Sequence, residues 1–280
     1  MRHSIIVVLP VLIISMALAC ARKQEGIQWA GSLEEALQAA QESKQHVLVE
    51  VYTKTCKWCH ALAETTFADS GVVAFSRQFR WARVDAQEES LKAREFRVFG
   101  YPTTILLDPN GQEVDRIVGY LRPEPFMAEL KGYLAGKGTF ASLQKQVEEG
   151  STDPEILFGL GEKYHQRGLW DQSLSLFEKV VLLDPENQRG IADDALSYQG
   201  EALRRVKRTD EAVARFRQLM ERYPQSDLAE DAQLEIGYTY QKAERNQEAV
   251  TVYREFLRRH PGHHYEEWVK KQLEELAKKL

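Results

Sequence analysis

Val47-Leu48-Val49-Glu50-Val51-Tyr52-Thr53-Lys54-Thr55-Cys56-Lys57-Trp58-Cys59-His60 joins an apolar, β-branched run to a C-x-x-C that opens a helix-like segment. The run reads as a buried strand, and the motif places two thiols at a helix N-terminus. Unpaired N–H groups and the helix dipole favour an anion there. Cys56 should therefore lose its proton more readily than a free thiol, and the thiolate is the reactive form. Cys59 lies three residues on, on the same side of the helix, within reach of a disulfide to Cys56. This arrangement suits reversible thiol–disulfide exchange.

Two other chemistries compete for the motif. Half of a zinc site would need further ligands, but Cys20 is the only other cysteine. His260, His263 and His264 lie far along the chain, so no metal is assigned. Cys56-Lys57-Trp58-Cys59-His60 also satisfies the C-x-x-C-H pattern of covalent haem attachment. Such a site needs neither a strand before the motif nor an X-Pro strand after it. The haem reading stays as an alternative, and the main reading carries no cofactor.

The flanking segments supply that context. Ser32-Leu33-Glu34-Glu35 reads as a capped helix start running to about Ser43. A helix continues from Cys56 to about Phe67, and a short one from Gly71 to Phe79 precedes a strand, Trp81 to Val84. Residues 90–96 suit a helix leading to Phe99-Gly100-Tyr101-Pro102-Thr103-Thr104-Ile105-Leu106-Leu107. Asp108-Pro109-Asn110-Gly111 is a hairpin turn before Glu113 to Val118, and a last helix runs from Pro123 to about Leu134.

This order, with Cys56-Lys57-Trp58-Cys59 and Gly100-Tyr101-Pro102-Thr103, resembles the thioredoxin fold over residues 27–136. The resemblance implies a cis Pro102 against the cysteines, with Tyr101 and Pro102 lining the partner groove. It also implies a buried carboxylate six residues before the first cysteine. Glu50 holds that place, where many relatives carry aspartate. Burial should raise its pKa toward the working pH of a proton acceptor. Trp58-Cys59-His60 and Thr65-Thr66-Phe67 look most like bacterial envelope thioredoxin-like proteins. The chain departs from typical thioredoxins at Lys57-Trp58, which replaces Gly-Pro, and at Tyr52 and Thr55, which replace two tryptophans. Lys57 and Trp58 are expected to be exposed, with Trp58 offering an apolar platform to a partner chain.

After residue 136 the pattern becomes a repeat. Gly161, Gly200 and Gly237 recur at intervals of 39 and 37, in register with Phe177, Phe216 and Tyr253 and with Pro185, Pro224 and Pro261. Tyr164, Leu203 and Tyr240 keep step, as do Ser173, Ala212 and Ala249. Small residues let paired helices approach, aromatics fill the seam and proline stops the second helix. The pattern resembles tetratricopeptide repeats, and Tyr223-Pro224-Gln225-Ser226-Asp227-Leu228-Ala229 looks like the lengthened variant of bacterial envelope proteins. The expected organisation is an α/β thioredoxin fold over 27–136, a linker over 137–153, and an all-α solenoid over 154–280. That solenoid would hold three repeats and a capping helix. Gly136-Lys137-Gly138 reads as a boundary that few contacts cross.

The N-terminus reads as a leader over 1–19 and a tether over 20–26. Arg2 and His3 precede an apolar run, Ile5 to Ala19, that Pro10 interrupts and that is short for a membrane span. Ala17-Leu18-Ala19-Cys20 resembles the lipobox of bacterial lipoproteins, although leucine is commonest at the Ala17 position. The resemblance implies a lipid on Cys20 and a periplasm-facing envelope location. Plain secretion and an uncleaved anchor are the alternatives. With 37 Lys+Arg against 42 Asp+Glu the net charge is −5, which argues against nucleic acid as a partner. Arg204-Arg205-Val206-Lys207-Arg208 reads as a solvated helix end.

The expected function is thiol–disulfide exchange in the envelope. Cys56 would be the nucleophile, Cys59 the resolving thiol and Glu50 the proton acceptor. Protein thiols or disulfides would be the substrates, with a protein partner on the repeat surface. A scaffold lipoprotein whose N-terminal domain mainly binds is the alternative of another class.

Overall fold

The computed structural model describes residues 26–280, so the expected leader and Cys20 lie outside the described residues. The first domain begins with α1, Leu33–Ser43, capped by Ser32, whose hydroxyl accepts the Glu35 N–H at 3.1 Å. Then follow β1 (His46–Tyr52), α2 (Lys57–Ala61), α3 (Ser70–Ser76), β2 (Phe79–Asp85) and α4 (Ser90–Glu95). The hairpin β3 (Thr103–Leu107) and β4 (Glu113–Val118) and the helix α5 (Pro123–Leu134) close the domain. The sheet runs β2-β1-β3-β4, with β1 parallel to β2 and antiparallel to β3.

Period-2 alternation on β1 sends its side chains to two cores. Val47, Val49 and Val51 pack with Ala36, Ala40, Ala82 and Val84 on the α1 side. Leu48 packs on the other face with Leu62, Phe67, Trp81 and Phe126. Glu50 is in step with Leu48, so its carboxylate enters the face that carries α2. Trp29, which the sequence pattern left unassigned, adds a bridge to Trp81 and meets the Phe67 and Trp81 rings edge-on.

The second domain is built from helix pairs: α7 (Pro154–Gln166) with α8 (Trp170–Leu183), α9 (Ala192–Arg205) with α10 (Thr209–Arg222), and α11 (Leu228–Lys242) with α12 (Asn246–Arg259). A last helix, α13 (Glu266–Ala277), follows, and Pro185, Pro224 and Pro261 each stand two residues past the end of a second helix. The glycine–aromatic register has a direct steric cause. A Cβ at Gly161, Gly200 or Gly237 would come within 2.7, 2.5 and 2.5 Å of the rings of Phe177, Phe216 and Tyr253. Three arginines of the basic run form ion pairs, Arg204 with Glu235, Arg205 with Glu201 and Arg208 with Glu211.

The junction differs from expectation. Residues 137–153 contain a helix, α6 (Phe140–Glu148), and many interactions cross the boundary. Asp115 on β4 is fully buried, with Arg167 Nη2 at 2.8 Å and Lys163 Nζ at 2.9 Å. It also accepts the N–H groups of Arg116 and Phe140, at 2.8 and 3.0 Å. Lys163 Nζ donates to the Tyr133 hydroxyl at 3.0 Å, and Arg167 reaches Glu113 at 2.7 Å. Phe99 meets Trp170 edge-on at 5.3 Å and covers Gly168, where a Cβ would fall 2.2 Å from its ring. Buried charge on one domain is therefore neutralised by the other, a long-range pairing that a local glycine signal cannot reveal.

Candidate active site

Cys56 and Cys59 are joined in a disulfide. Cys56 is the N-cap of α2, and its sulfur accepts the Cys59 N–H at 3.1 Å. One of the N–H groups that favour an anion thus already faces the first sulfur. Access is unequal, since Cys56 is half-buried and Cys59 is 4% exposed. After α2 the helix widens into one π-type turn, Leu62–Thr66, a feature found at functional sites. Thr66 anchors that turn by donating to the Leu121 carbonyl at 2.6 Å.

Glu50 is 1% exposed, and burial raises its carboxyl above the ordinary glutamate range. Arg83 pulls the other way, with its Nε 2.8 Å from Glu50 Oε2. The pair is one rung of the β1–β2 ladder, Glu50 opposite Arg83. The guanidinium also stacks 3.9 Å from the Trp29 ring centroid and 5.7 Å from that of Tyr52. Arg83 is absent from the residues the sequence pattern singles out; its only local signal is a basic residue in step with Trp81 on a strand that must lie beside β1.

The remaining expected residues differ in exposure. Trp58 is 57% exposed and lies 5.7 Å from Tyr120, centroid to centroid. Tyr101 is 38% exposed, Pro102 is buried, and the Tyr101–Pro102 peptide bond is cis. The Pro102 carbonyl accepts the Gly119 N–H at 2.8 Å, which ties this loop to the end of β4. Lys57 is exposed, with its ammonium 6.0 Å from the Trp58 ring. His60 Nε2 lies 2.8 Å from the Lys54 carbonyl. Tyr120 likewise carries no sequence motif; its hydroxyl lies 3.1 Å from Thr65 Oγ1, and its ring continues the aromatic surface of Trp58.

A family model described as a thioredoxin-like domain matches residues 33–133. The N-terminal domain is thioredoxin-like. A second model, described as an outer membrane lipoprotein, matches residues 193–270, inside the helical repeats. The thioredoxin-like domain is similar to protein disulfide-isomerase of Gallus gallus, 34% identical over 135 residues, 43% of this chain and 25% of that protein. It is also similar to the thiol:disulfide interchange protein DsbD of Ralstonia nicotianae, 28% identical over 110 residues, 38% of this chain and 18% of that protein. The chain therefore spans a quarter or less of the length of these relatives. A solved thioredoxin from Thermus thermophilus is 28% identical, covering 41% of this chain and 95% of that one, with a TM-score of 0.37.

Proposed function

We propose that the chain is an envelope thiol–disulfide oxidoreductase whose repeats dock a partner protein. The observation that carries this reading is the Cys56–Cys59 pair itself. One sulfur sits at a helix N-terminus with an N–H on it, the other is buried, and the exposed Trp58 stands between the two cysteines in sequence.

In the reducing direction, the Cys56 thiolate attacks one sulfur of a partner disulfide. A mixed disulfide forms, and the partner's other sulfur leaves as a thiolate that takes up a proton. The Cys59 thiol then gives its proton to Glu50 and attacks Cys56 Sγ. The Cys56–Cys59 disulfide forms, the second partner thiol is released, and two electrons have passed to the partner. Run backwards, the same steps oxidise a partner dithiol. Trp58, Tyr101 and Pro102 hold the partner chain, with Lys57 at the rim. The match to an outer-membrane lipoprotein family supports an envelope location, with Cys20 as the lipidated residue. Among the described residues no helix is long and apolar enough to cross a membrane.

Glu50→Gln keeps shape but removes the acid. Resolution of a preformed mixed disulfide should slow about 10–100-fold in stopped-flow thiol release, within the usual range for a lost general base. An unchanged rate would leave Glu50 a structural residue. The same variant tests the sign of its titration. Because the folded carboxyl is raised, the unfolded chain ionises first as pH rises. Stability therefore falls through the window between the ordinary and the raised value, and the penalty persists above it. Glu50→Gln should have a higher urea midpoint than the parent at about pH 8, and the gain should vanish at about pH 4. A lower midpoint at the higher pH would show that the Arg83 pair outweighs burial.

Docking is tested on the full chain, because removal of the repeats would strip Asp115 of Lys163 and Arg167. Leu182 and Leu183, 79% and 49% exposed on α8, are apolar and open to a partner. Replacing both with aspartate should leave insulin reduction unchanged while altering which envelope proteins Cys59→Ser traps. An identical trapped set would remove this face of the repeats from partner choice.

A further inference from the structure

The turn between α12 and α13 carries histidines that thiol exchange does not use. At the preceding junction the residue two places after the helix-ending proline is Ser226, whose hydroxyl donates to Asp193 Oδ2 at 2.7 Å. One repeat later the same places hold His263 and Glu230, with His263 Nε2 3.3 Å from Glu230 Oε2. His260 Nδ1 lies 3.3 Å from the other oxygen of Glu230. Next to Glu230 on α11 is Asp231, and one ligand atom each from Asp231, His263 and His264 lies within 4.8 Å of the others. A hydroxyl–carboxylate contact that merely ties two repeats has become a cluster of imidazoles and carboxylates.

We propose that Asp231, His263 and His264 bind a divalent first-row transition metal, Zn²⁺ in the first instance. Two imidazoles and a carboxylate match the donors of open zinc sites, which keep a fourth position for water or another ligand. The same donors disfavour Mg²⁺ and Ca²⁺, which seek oxygen shells. The Tyr265 N–H donates to His263 Nδ1 at 3.2 Å, which favours the tautomer with its proton on Nε2, 3.3 Å from Glu230 Oε2. A carboxylate on the far nitrogen fixes ring orientation and raises ligand basicity. A metal bound through Nδ1 would displace the Tyr265 N–H, which is exposed and can turn to water.

A separate observation places space beside the site. A cleft of about 380 Å³ is lined by Asp231, Leu234, Glu235, Tyr238, Tyr265 and Trp268. Asp231 belongs to both, so the cleft adjoins the cluster and can admit water or a partner side chain. The metal would also join the α12–α13 turn to α11 and clamp the capping helix that buries Val269 and Leu276.

The test uses untagged full-length chain with Cys56–Cys59 oxidised, so that the dithiol offers no competing ligands. The metal-stripped protein is titrated with Zn²⁺ against a chromogenic chelator. The expected result is saturable binding of one equivalent per chain that excess Mg²⁺ does not displace. His264→Ala and Asp231→Asn, both substitutions of non-core side chains, should each weaken it by at least about 10-fold. Co²⁺ should give ligand-field bands in the visible that the double variant loses. Absence of saturable binding overturns the proposal. So does binding unchanged in the double variant, or displacement by Mg²⁺.

Discussion

Cys59→Ser is expected to convert the chain into a trap that accumulates mixed disulfides with envelope proteins, while Cys56→Ser accumulates almost none. Both substitutions should lower insulin-type disulfide turnover by about 10³-fold or more, the scale on which loss of a covalent nucleophile acts. The asymmetry follows from access and charge. Cys56 caps α2 and is half-buried, whereas Cys59 is 4% exposed behind it. A partner disulfide must be met in line by the attacking thiolate, which only the first sulfur allows. Without Cys59 the mixed disulfide at Cys56 has no internal thiol to resolve it. Equal trapping by the two variants, read on non-reducing gels with mass spectrometry, would reverse or remove the assignment.

Asp115→Ala should be the most destabilising single substitution at the domain junction, costing about 3–5 kcal/mol, as when one partner of a buried ion pair is removed. The side chain of Asp115 is 0% exposed, and those of Lys163 and Arg167 are 11% and 10% exposed. Deletion of the carboxylate leaves two cations close together with little water to solvate them. It also strips the Phe140 N–H at the start of α6 of its acceptor. Lys163→Met should cost less than Asp115→Ala, because Arg167 still pairs with the aspartate. Urea unfolding of the oxidised full chain measures both. The fluorescence of Trp170, which packs on Phe99, reports whether the domains separate before either unfolds. A loss below about 1 kcal/mol for Asp115→Ala would place the pair in the class of solvent-screened contacts.

Much of this molecule is legible in local sequence. The strand before the C-x-x-C, the Ser32 cap and the proline-terminated helices follow from signals within a few residues. The spacing of Gly161, Gly200 and Gly237 encodes a close approach that recurs because each repeat solves the same packing problem. What escaped the sequence depends on distant partners. Arg83 meets Glu50 only because β1 and β2 are parallel neighbours in one register. Asp115 finds Lys163 and Arg167 only when the first repeat folds against β4 and α6. Gly136 and Gly138 mark a change of chain direction, and that sign is silent about what the flanking surfaces bury. Asp231 and His264 likewise meet only when α11 and the α12–α13 turn are stacked.

Redox titration decides whether Cys56–Cys59 is a working redox couple or a structural staple. Full-length chain is equilibrated in glutathione buffers, supplemented with dithiothreitol for the most reducing points. Free thiols are alkylated, and the oxidised fraction is read by mass. A working couple gives a single reversible two-electron transition with a midpoint between about −270 and −120 mV, the span of thioredoxin-like catalysts. A pair that stays oxidised below about −300 mV, as structural disulfides of secreted proteins do, would contradict it.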